Sequence, residues 1–369
     1  VHVQQGLPQW KILLEKWIKT KSGSEAESLE HWFGFYTPHI IDYVTKFTNT
    51  LQDDSDLTCL NRLCPQSFAN ALVVATTFAD ALINNSTIHD MGSAEYDFIT
   101  TYSCLWGFGG NMDRKSQIHF SNWWKKKFTN PSIEYPDEGT LFEYYIDLDR
   151  LEYLPWSEMS PTYTAHQNTG LSGEQVVFTP VFQALSYNLT LLSDMARPIL
   201  LLGSLGTGKS FVVHERIKTV CSGEVAEFLN VTVYGNRFTN SSIIAHAMDE
   251  KLEWKYGRTH VAKGNKRLMC FLDDLHLSET SVGGGRENRQ SAVELVRQVL
   301  DQGGHYMPDT SEWRRIKGLH FITSACPHFA SHSMASQRFL RHFAVIAVNP
   351  PQNEELISIF STMVRGHFL

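Results

Sequence analysis

No Cys-x-x-Cys pair, no His-Glu-x-x-His run and no block of basic residues occurs in these 369 residues, and each absence removes a class of function. The six cysteines, Cys59, Cys64, Cys104, Cys221, Cys270 and Cys326, stand singly, and Cys270 lies inside an apolar run. They read as reduced cytosolic thiols rather than a disulfide framework. Sixteen histidines fall into no metal-ligand spacing, so no zinc site is expected. A formal charge of -7 without a basic stripe argues against nucleic acid as the main ligand. The one basic and aromatic cluster, Trp123-Trp-Lys-Lys-Lys-Phe128, reads as a solvated helix face. Long hydrophobic runs are also missing: the longest, Ala71 to Ile83, carries Asp80 and is too short to span a bilayer, so no membrane role is implied. Without a secretory signal, the N-x-[ST] triplets at Asn84, Asn85, Asn188, Asn230 and Asn240 read as chance matches.

What is present is ordinary for a soluble globular protein, 42% hydrophobic and 19% charged, with length for two or three domains. The chain opens on Val1 and closes at Leu369 inside a helix-like pattern, and reads as a piece of something longer. Its first part is helical in periodicity. Trp10 to Thr20, Trp32 to Leu51 and Ser67 to Ile83 repeat apolar residues at three- and four-residue spacing. A helix from about Glu95 stops at Gly107-Phe-Gly-Gly110, and another runs from Asp113 to Phe128 before Asn130-Pro131. Thr140 to Pro155 alternates like a short hairpin. The aromatic pairs Phe33 and Phe35, Trp123 and Trp124, and Tyr144 and Tyr145 read as packing. Ser, Thr, Gly and Pro then dominate from Ser160 to Gly173, which places a linker at 161–175 between a helical region, 1–160, and a second region, 176–369.

From Val176 strands and helices alternate, which predicts a parallel sheet with helices on both faces. A helix over Val181 to Ser193 leads to an apolar strand, Ile199 to Leu202, and then to Gly203-Ser204-Leu205-Gly206-Thr207-Gly208-Lys209-Ser210. This run fits G-x-x-x-x-G-K-[ST] in the strand–loop–helix setting the pattern requires. Its glycines allow a tight turn that aims backbone N–H groups at phosphate oxygens, beside the positive end of the following helix. Lys209 is placed to reach the β- and γ-phosphates, and Ser210 to ligate Mg²⁺. A Gly/Ser loop that matches by chance is the plain alternative, and strand and helix context weigh against it.

Further strands are predicted at Glu227 to Tyr234 and Arg267 to Leu272, with a helix over Ser241 to Trp254 between them. The second of these strands ends in Asp273-Asp274. An acid ending an apolar strand some sixty residues after the P-loop lysine is suited to holding Mg²⁺, here Asp273, with Asp274 polarising the attacking water. Two acids capping a turn is the alternative. Leu319 to Ser324 and Val345 to Val348 are the remaining strands. Arg338, just before the last, is positioned like an arginine that ring-forming ATPases offer to a neighbouring module's γ-phosphate. A structural ion pair is equally open for Arg338, and favoured for Arg341.

The succession GSLGTGKS, FLDDLHL, LVRQVLDQGGHY, FITSACP and QRFLRHFAVIAVN resembles the third AAA+ module of a dynein heavy chain. Upstream, Leu105-Trp-Gly-Phe-Gly-Gly-Asn111, Gly139-Thr-Leu-Phe-Glu-Tyr-Tyr-Ile-Asp147 and Leu154-Pro-Trp-Ser-Glu158 look like the lid of the second module. Gly6 to Trp17 is similar to the end of that module's core. The resemblance covers essentially the whole chain. It implies a P-loop AAA+ core preceded by a mainly α-helical lid, an ATP/ADP and Mg²⁺ site, and neighbouring AAA+ modules of the same heavy chain as partners. Through the parent protein it implies intermediate and light chains and microtubules, and a place in the cytoskeleton of a cilium or flagellum. It also implies that the microtubule contact lies elsewhere in the parent.

Departures from the family pattern bear on mechanism. Asp274 stands where AAA+ modules commonly carry glutamate; the resemblance implies an axonemal-type third module, since these also tend to read Asp-Asp. Cys326 falls at the position that often holds a water-orienting Asn, and a thiol is a weak donor. Ser204-Leu205 replaces Pro-Thr in the loop; Val177-Phe-Thr-Pro-Val181 and Ala184 replace the usual segment ahead of it; and His276 and Ser278 to Arg286 diverge. The chain therefore looks like an axonemal or divergent heavy chain. Three functions stay open: a regulatory, slowly hydrolysing module of a microtubule motor; a nucleotide-binding module that does not hydrolyse; and an unrelated P-loop kinase, against which the upstream lid counts.

Overall fold

The computed structural model describes residues 8–49, 60–88, 91–129, 133–159, 177–221, 226–278, 280–281, 289–327 and 336–368. The expected linker at 161–175, Cys59 and the Gly283-Gly-Gly285 run lie outside them.

Among the described residues, five α-helices make the first part: α1 (Pro8–Ile18), α2 (Gly23–Asn49), α3 (Phe68–Asn85), α4 (Ser93–Gly109) and α5 (Arg114–Lys127). Their ends follow from side-chain capping. Ser67 accepts from the Asn70 amide at the start of α3, and Asp113 accepts from Ser116 at the start of α5. The apolar stripe of α3, Ala71, Leu72, Ala75, Phe78, Ala79 and Leu82, is buried against α4. Asp80, the charge in that run, is answered by Trp17 Nε1 at 3.0 Å and Lys21 Nζ at 2.9 Å. The expected hairpin forms as β1 (Tyr144–Asp147) and β2 (Glu152–Pro155), antiparallel. In the Trp-Trp-Lys-Lys-Lys cluster Trp124 is fully buried, where such a side chain is worth about 1.5–3 kcal/mol, Trp123 stacks on Tyr43, and Lys126 and Lys127 face solvent.

The second part is an α/β layer structure. In chain order it comprises α6 (Pro180–Asp194), β3 (Ile199–Leu202), α7 (Lys209–Cys221), β4 (Phe228–Tyr234), α8 (Ser241–Asp249), β5 (Leu252–Tyr256), β6 (Thr259–Ala262) and β7 (Arg267–Asp273). The two-residue strands β8 (Thr280–Ser281) and β9 (Arg289–Gln290) follow. Then come α9 (Ser291–Gln302), β10 (Gly304–Tyr306), β11 (Trp313–Ile316), β12 (Leu319–Ala325), α10 (Gln337–Leu340), β13 (Ala344–Ala347) and α11 (Asn353–Phe368). Five strands form a fully parallel sheet in the order β13-β3-β12-β7-β4. All four residues of β3 and the last six of β7 are buried, as strands covered by helices on both faces must be.

One expectation fails. The helix predicted from Ser241 to Trp254 ends at Asp249, and Leu252 onward is strand. A turn at Gly257, φ +54, folds β5 back on β6. Glu253, Trp254, Lys255 and Tyr256 stay exposed, so helical burial has nothing to gain there. A second hairpin, β10 with β11, joins the first through a parallel β6–β11 pairing, giving an accessory sheet ordered β10-β11-β6-β5 that periodicity did not reveal.

The helical part docks directly on the α/β layer. One hydrophobic core runs from Trp10 through Trp124 and Trp156 to Ile346 and Val348, and a second fills the opposite sheet face under α8 and α9. Polar contacts pin the joint: Tyr102 OH to Asn188 Oδ1 at 3.0 Å, Arg197 Nη2 to Asn70 Oδ1 at 2.8 Å, and Asn70 Nδ2 to the Phe343 carbonyl at 3.1 Å. The Ala347 amide also donates to the Gly110 carbonyl at 2.7 Å. No helix among the described residues is long and apolar enough to cross a membrane.

Candidate functional site

β12 lies between β3 and β7, so the carboxyl ends of three neighbouring strands deliver Gly203–Ser210, Asp273 and Ser324 to one place. Ligand crevices of open α/β sheets form at such ends. The loop after β3 is anchored on both sides. The Gly203 amide donates to Ala325 on one flank at 3.2 Å, and the Val348 amide donates to Leu202 on the other at 2.7 Å. Gly206 and Gly208 have φ +77 and +85, the left-handed region that side-chain-bearing residues avoid, and the loop turns there into α7.

Lys209 is buried at the first turn of α7 and donates to the carbonyls of Gly203 at 2.9 Å and Ser204 at 2.7 Å. Thr207 Oγ1 also bonds the Ser204 carbonyl, at 3.0 Å. Leu205, at the outer turn of the loop, is exposed. Ser210 Oγ donates to Asp273 Oδ1 at 2.8 Å. Positive-φ glycines, a buried ammonium, a helix N-terminus and a Ser–Asp pair in contact make a donor set that fits a magnesium-chelated polyphosphate.

Asp274 takes the left-handed backbone conformation, which side-chain-bearing residues adopt at a cost. It takes φ 51 and ψ 46 and ends β7 in a tight 3₁₀ turn over Leu275–Leu277. Its amide donates to Ser324 Oγ at 2.8 Å, and its carboxylate lies 3.8 Å from His276 Nδ1. Burial holds His276 below the ordinary imidazole value, against the pull of Asp274, with Lys209 adding to the depression and Asp273 opposing it. Behind the acids, Gly235 at the end of β4 donates to the Asp273 carbonyl at 2.7 Å. Its hydrogen faces both acidic residues' carbonyls, and a Cβ there would fall against Asp274 O and within 2.8 Å of Asp273 O.

Ser324 and Gly235 were missed by the sequence reading. The signal for Ser324 was available: two hydroxyls, Thr323 and Ser324, at the tip of an apolar strand that must neighbour the acidic one. Nothing in the sequence flags Gly235. Cys326, which stands where a water-orienting Asn is usual and was expected to serve poorly there, follows the last residue of β12 and is a free, half-buried thiol.

Arg338 does not join this cluster. It sits exposed on α10, ahead of β13, and Ala344 at the start of β13 pairs with Ile199 at the opposite end of β3 from the loop. Among the described residues no ion pair holds it. Its neighbour Gln337 donates to the Pro65 carbonyl of the helical part at 2.8 Å, so Arg338 lies where the two parts meet. Arg341 by contrast pairs with Asp301, which also receives His342 Nε2 at 2.9 Å and Arg297 at 2.7 Å.

A 5-1-4-3-2 parallel sheet with a P-loop after its first strand, acids after its third and an abutting helical lid defines a P-loop AAA+ module. Comparison with known families makes this specific: the P-loop containing dynein motor region matches residues 165–351, and the dynein heavy chain AAA lid domain matches residues 29–158. The chain belongs to the dynein heavy chain family. It is similar to dynein axonemal heavy chain 11 of Sus scrofa, 26% identical over 365 residues that make up 97% of this chain and 8% of that protein. Dynein axonemal heavy chain 17 of Homo sapiens and the ciliary dynein beta chain of Heliocidaris crassispina match at 26% identity with the same shares. The chain thus spans about a twelfth of the length of these relatives.

Proposed function

We propose that residues 176–369 are the large subdomain of a Mg·ATP-binding AAA+ module, docked on the lid of the preceding module, 1–160, within a microtubule motor heavy chain. The observation that carries the reading is the Ser210–Asp273–Ser324 cluster, assembled from three strand ends beside the Gly203–Ser210 loop. Backbone amides of the loop and Lys209 hold the β- and γ-phosphates, with Lys209 exchanging its two loop carbonyls for phosphate oxygens. Ser210 and Asp273 would hold Mg²⁺, whose positive charge would offset that of the polyphosphate. Asp274 accepts a proton from the attacking water, and Ser324 fixes the backbone from which it projects. Arg338 serves the preceding module's nucleotide in trans.

Turnover is regulatory and slow in this reading. Asp274 is a methylene shorter than glutamate and is held in a strained turn, which limits its reach to a water in line with the γ-phosphate. The same observation favours a second reading, a module that binds nucleotide without hydrolysing it. The relatives' names, axonemal and ciliary, support placement in the cytoskeleton of a cilium or flagellum. Neighbouring AAA+ modules, intermediate and light chains and microtubules are then partners of the parent chain. Unlike a P-loop kinase, the chain has its lid match upstream of the loop.

Thermal unfolding with and without Mg·ATP tests the binding site. At about one hundred times the dissociation constant ATP adds about 2.7 kcal/mol of stability. Lys209→Ala removes a charge-assisted contact of about 1.5–3 kcal/mol and lowers affinity at least tenfold. A folded wild-type chain unaffected by Mg·ATP overturns the assignment.

A further inference from the structure

We propose that the accessory sheet is a docking surface for an extended, acidic protein segment. One hairpin, β5–β6, is inserted between β4 and β7 and the other, β10–β11, between β7 and β12, and their tips converge on a cavity of about 500 Å³. That is within the range of specific ligand pockets, about 300–1,000 Å³. Trp254, Arg258, His260, Tyr306, Trp313 and Arg314 line it.

Trp254 is 66% and Tyr306 55% exposed, and Tyr306 meets Trp313 edge-on at 5.0 Å. Single exposed aromatics need no explanation, but aromatics clustered with arginine are the composition of interface centres. His260 Nδ1 has no hydrogen-bond partner, so the wall of the cavity keeps an unused polar atom. Arg258 is exposed and in no ion pair among the described residues, whereas Arg314 is tied to Asp249.

Charge complementarity selects the occupant. Residues 251–267 carry six lysines and arginines against one acid, in a chain whose net charge is -7, and in the cavity wall Glu312 stands against Arg258 and Arg314. β5 is an edge strand that pairs only with β6 among the described residues, which leaves one side open to an added strand. An extended segment laid along β5 brings carboxylates to Lys255 and Arg258 and side chains into the cavity beside Trp254. The net negative charge of the rest of the chain disfavours a long polyanion, which would meet repulsion beyond the patch.

The test is fluorescence anisotropy of the intact chain with a labelled decapeptide of alternating glutamate and tyrosine. Lys255→Glu/Arg258→Glu is expected to weaken binding at least about tenfold. Lys126→Glu/Lys127→Glu, which reverses exposed charges on α5, is expected to leave it unchanged, and both variants to keep the wild-type unfolding midpoint by circular dichroism. Equal binding of a glutamine–tyrosine peptide, equal loss in the α5 variant, or tighter binding of a single-stranded oligonucleotide or of phosphatidylserine vesicles overturns the proposal.

Discussion

Ser324 Oγ donates to Asp273 Oδ1 at 2.5 Å and at the same time accepts the Asp274 amide at 2.8 Å. One hydroxyl from β12 thereby sets the position of both acids at the end of β7. Asp273 Oδ1 receives Ser210 as well, so the magnesium-side carboxylate is fixed by two neighbouring elements rather than by its own strand.

Removing that hydroxyl should loosen the acids without touching the P-loop. Ser324→Ala leaves Asp273 short of one charge-assisted bond, worth about 1.5–3 kcal/mol. Titrating ATP in the presence and absence of Mg²⁺ should show a reduced magnesium-dependent gain in affinity, with magnesium-free binding retained. An unchanged magnesium dependence removes Ser324 from the site.

Gly235→Ala puts a methyl group against the carbonyls of Asp273 and Asp274. The end of β7 must shift, and overpacking of this kind costs about 1–3 kcal/mol. Chemical denaturation should show that loss, accompanied by weaker Mg·ATP binding. Normal stability and affinity would mean that the strand ends separate freely.

Arg338→Ala should slow hydrolysis at the preceding module of an assembled ring while ATP binding to this module stays intact. Removal of an arginine finger lowers the rate by about 10³–10⁵. Arg341→Ala, in which a side chain already paired with Asp301 is lost, is expected to change stability and leave that rate alone. The two variants compared in single-turnover measurements separate the roles.

His320 supplies a pH dependence. It is buried in β12, Nε2 bonds the Arg197 carbonyl at 2.9 Å, and burial lowers its pKa to about 4. The unfolded chain has an ordinary imidazole near 6.5 and so binds the proton first. Stability is therefore intact above about pH 6.5 and falls as pH drops towards 4, by about 3 kcal/mol over the whole window. Urea unfolding of wild type and His320→Gln at pH 7 and pH 5 should show the smaller pH effect in the variant.

The phosphate loop, the acid pair and the alternation of strand and helix were legible in the sequence because they are local. A P-loop is eight consecutive residues whose backbone does the binding, and a buried parallel strand such as Leu268 to Leu272 is a continuous apolar run that needs no partner to be recognised. The helical part was legible for the same reason: caps such as Ser67 and Asp113 and the apolar stripe of α3 are read within one or two turns.

Only the tertiary structure decided what depends on residues far apart meeting. The accessory sheet arises from two hairpins that pair β6 with β11 across some fifty residues, and the exposed β5 gives no periodic signal until that pairing exists. Ser324 reaches Asp273 because β12 inserts between β3 and β7, an ordering fixed by crossover packing and not by any local propensity. Arg338 and Arg341 are three residues apart and chemically alike. Their separation into an exposed cation at the joint and a member of the Asp301 cluster follows from which face of the chain α9 covers.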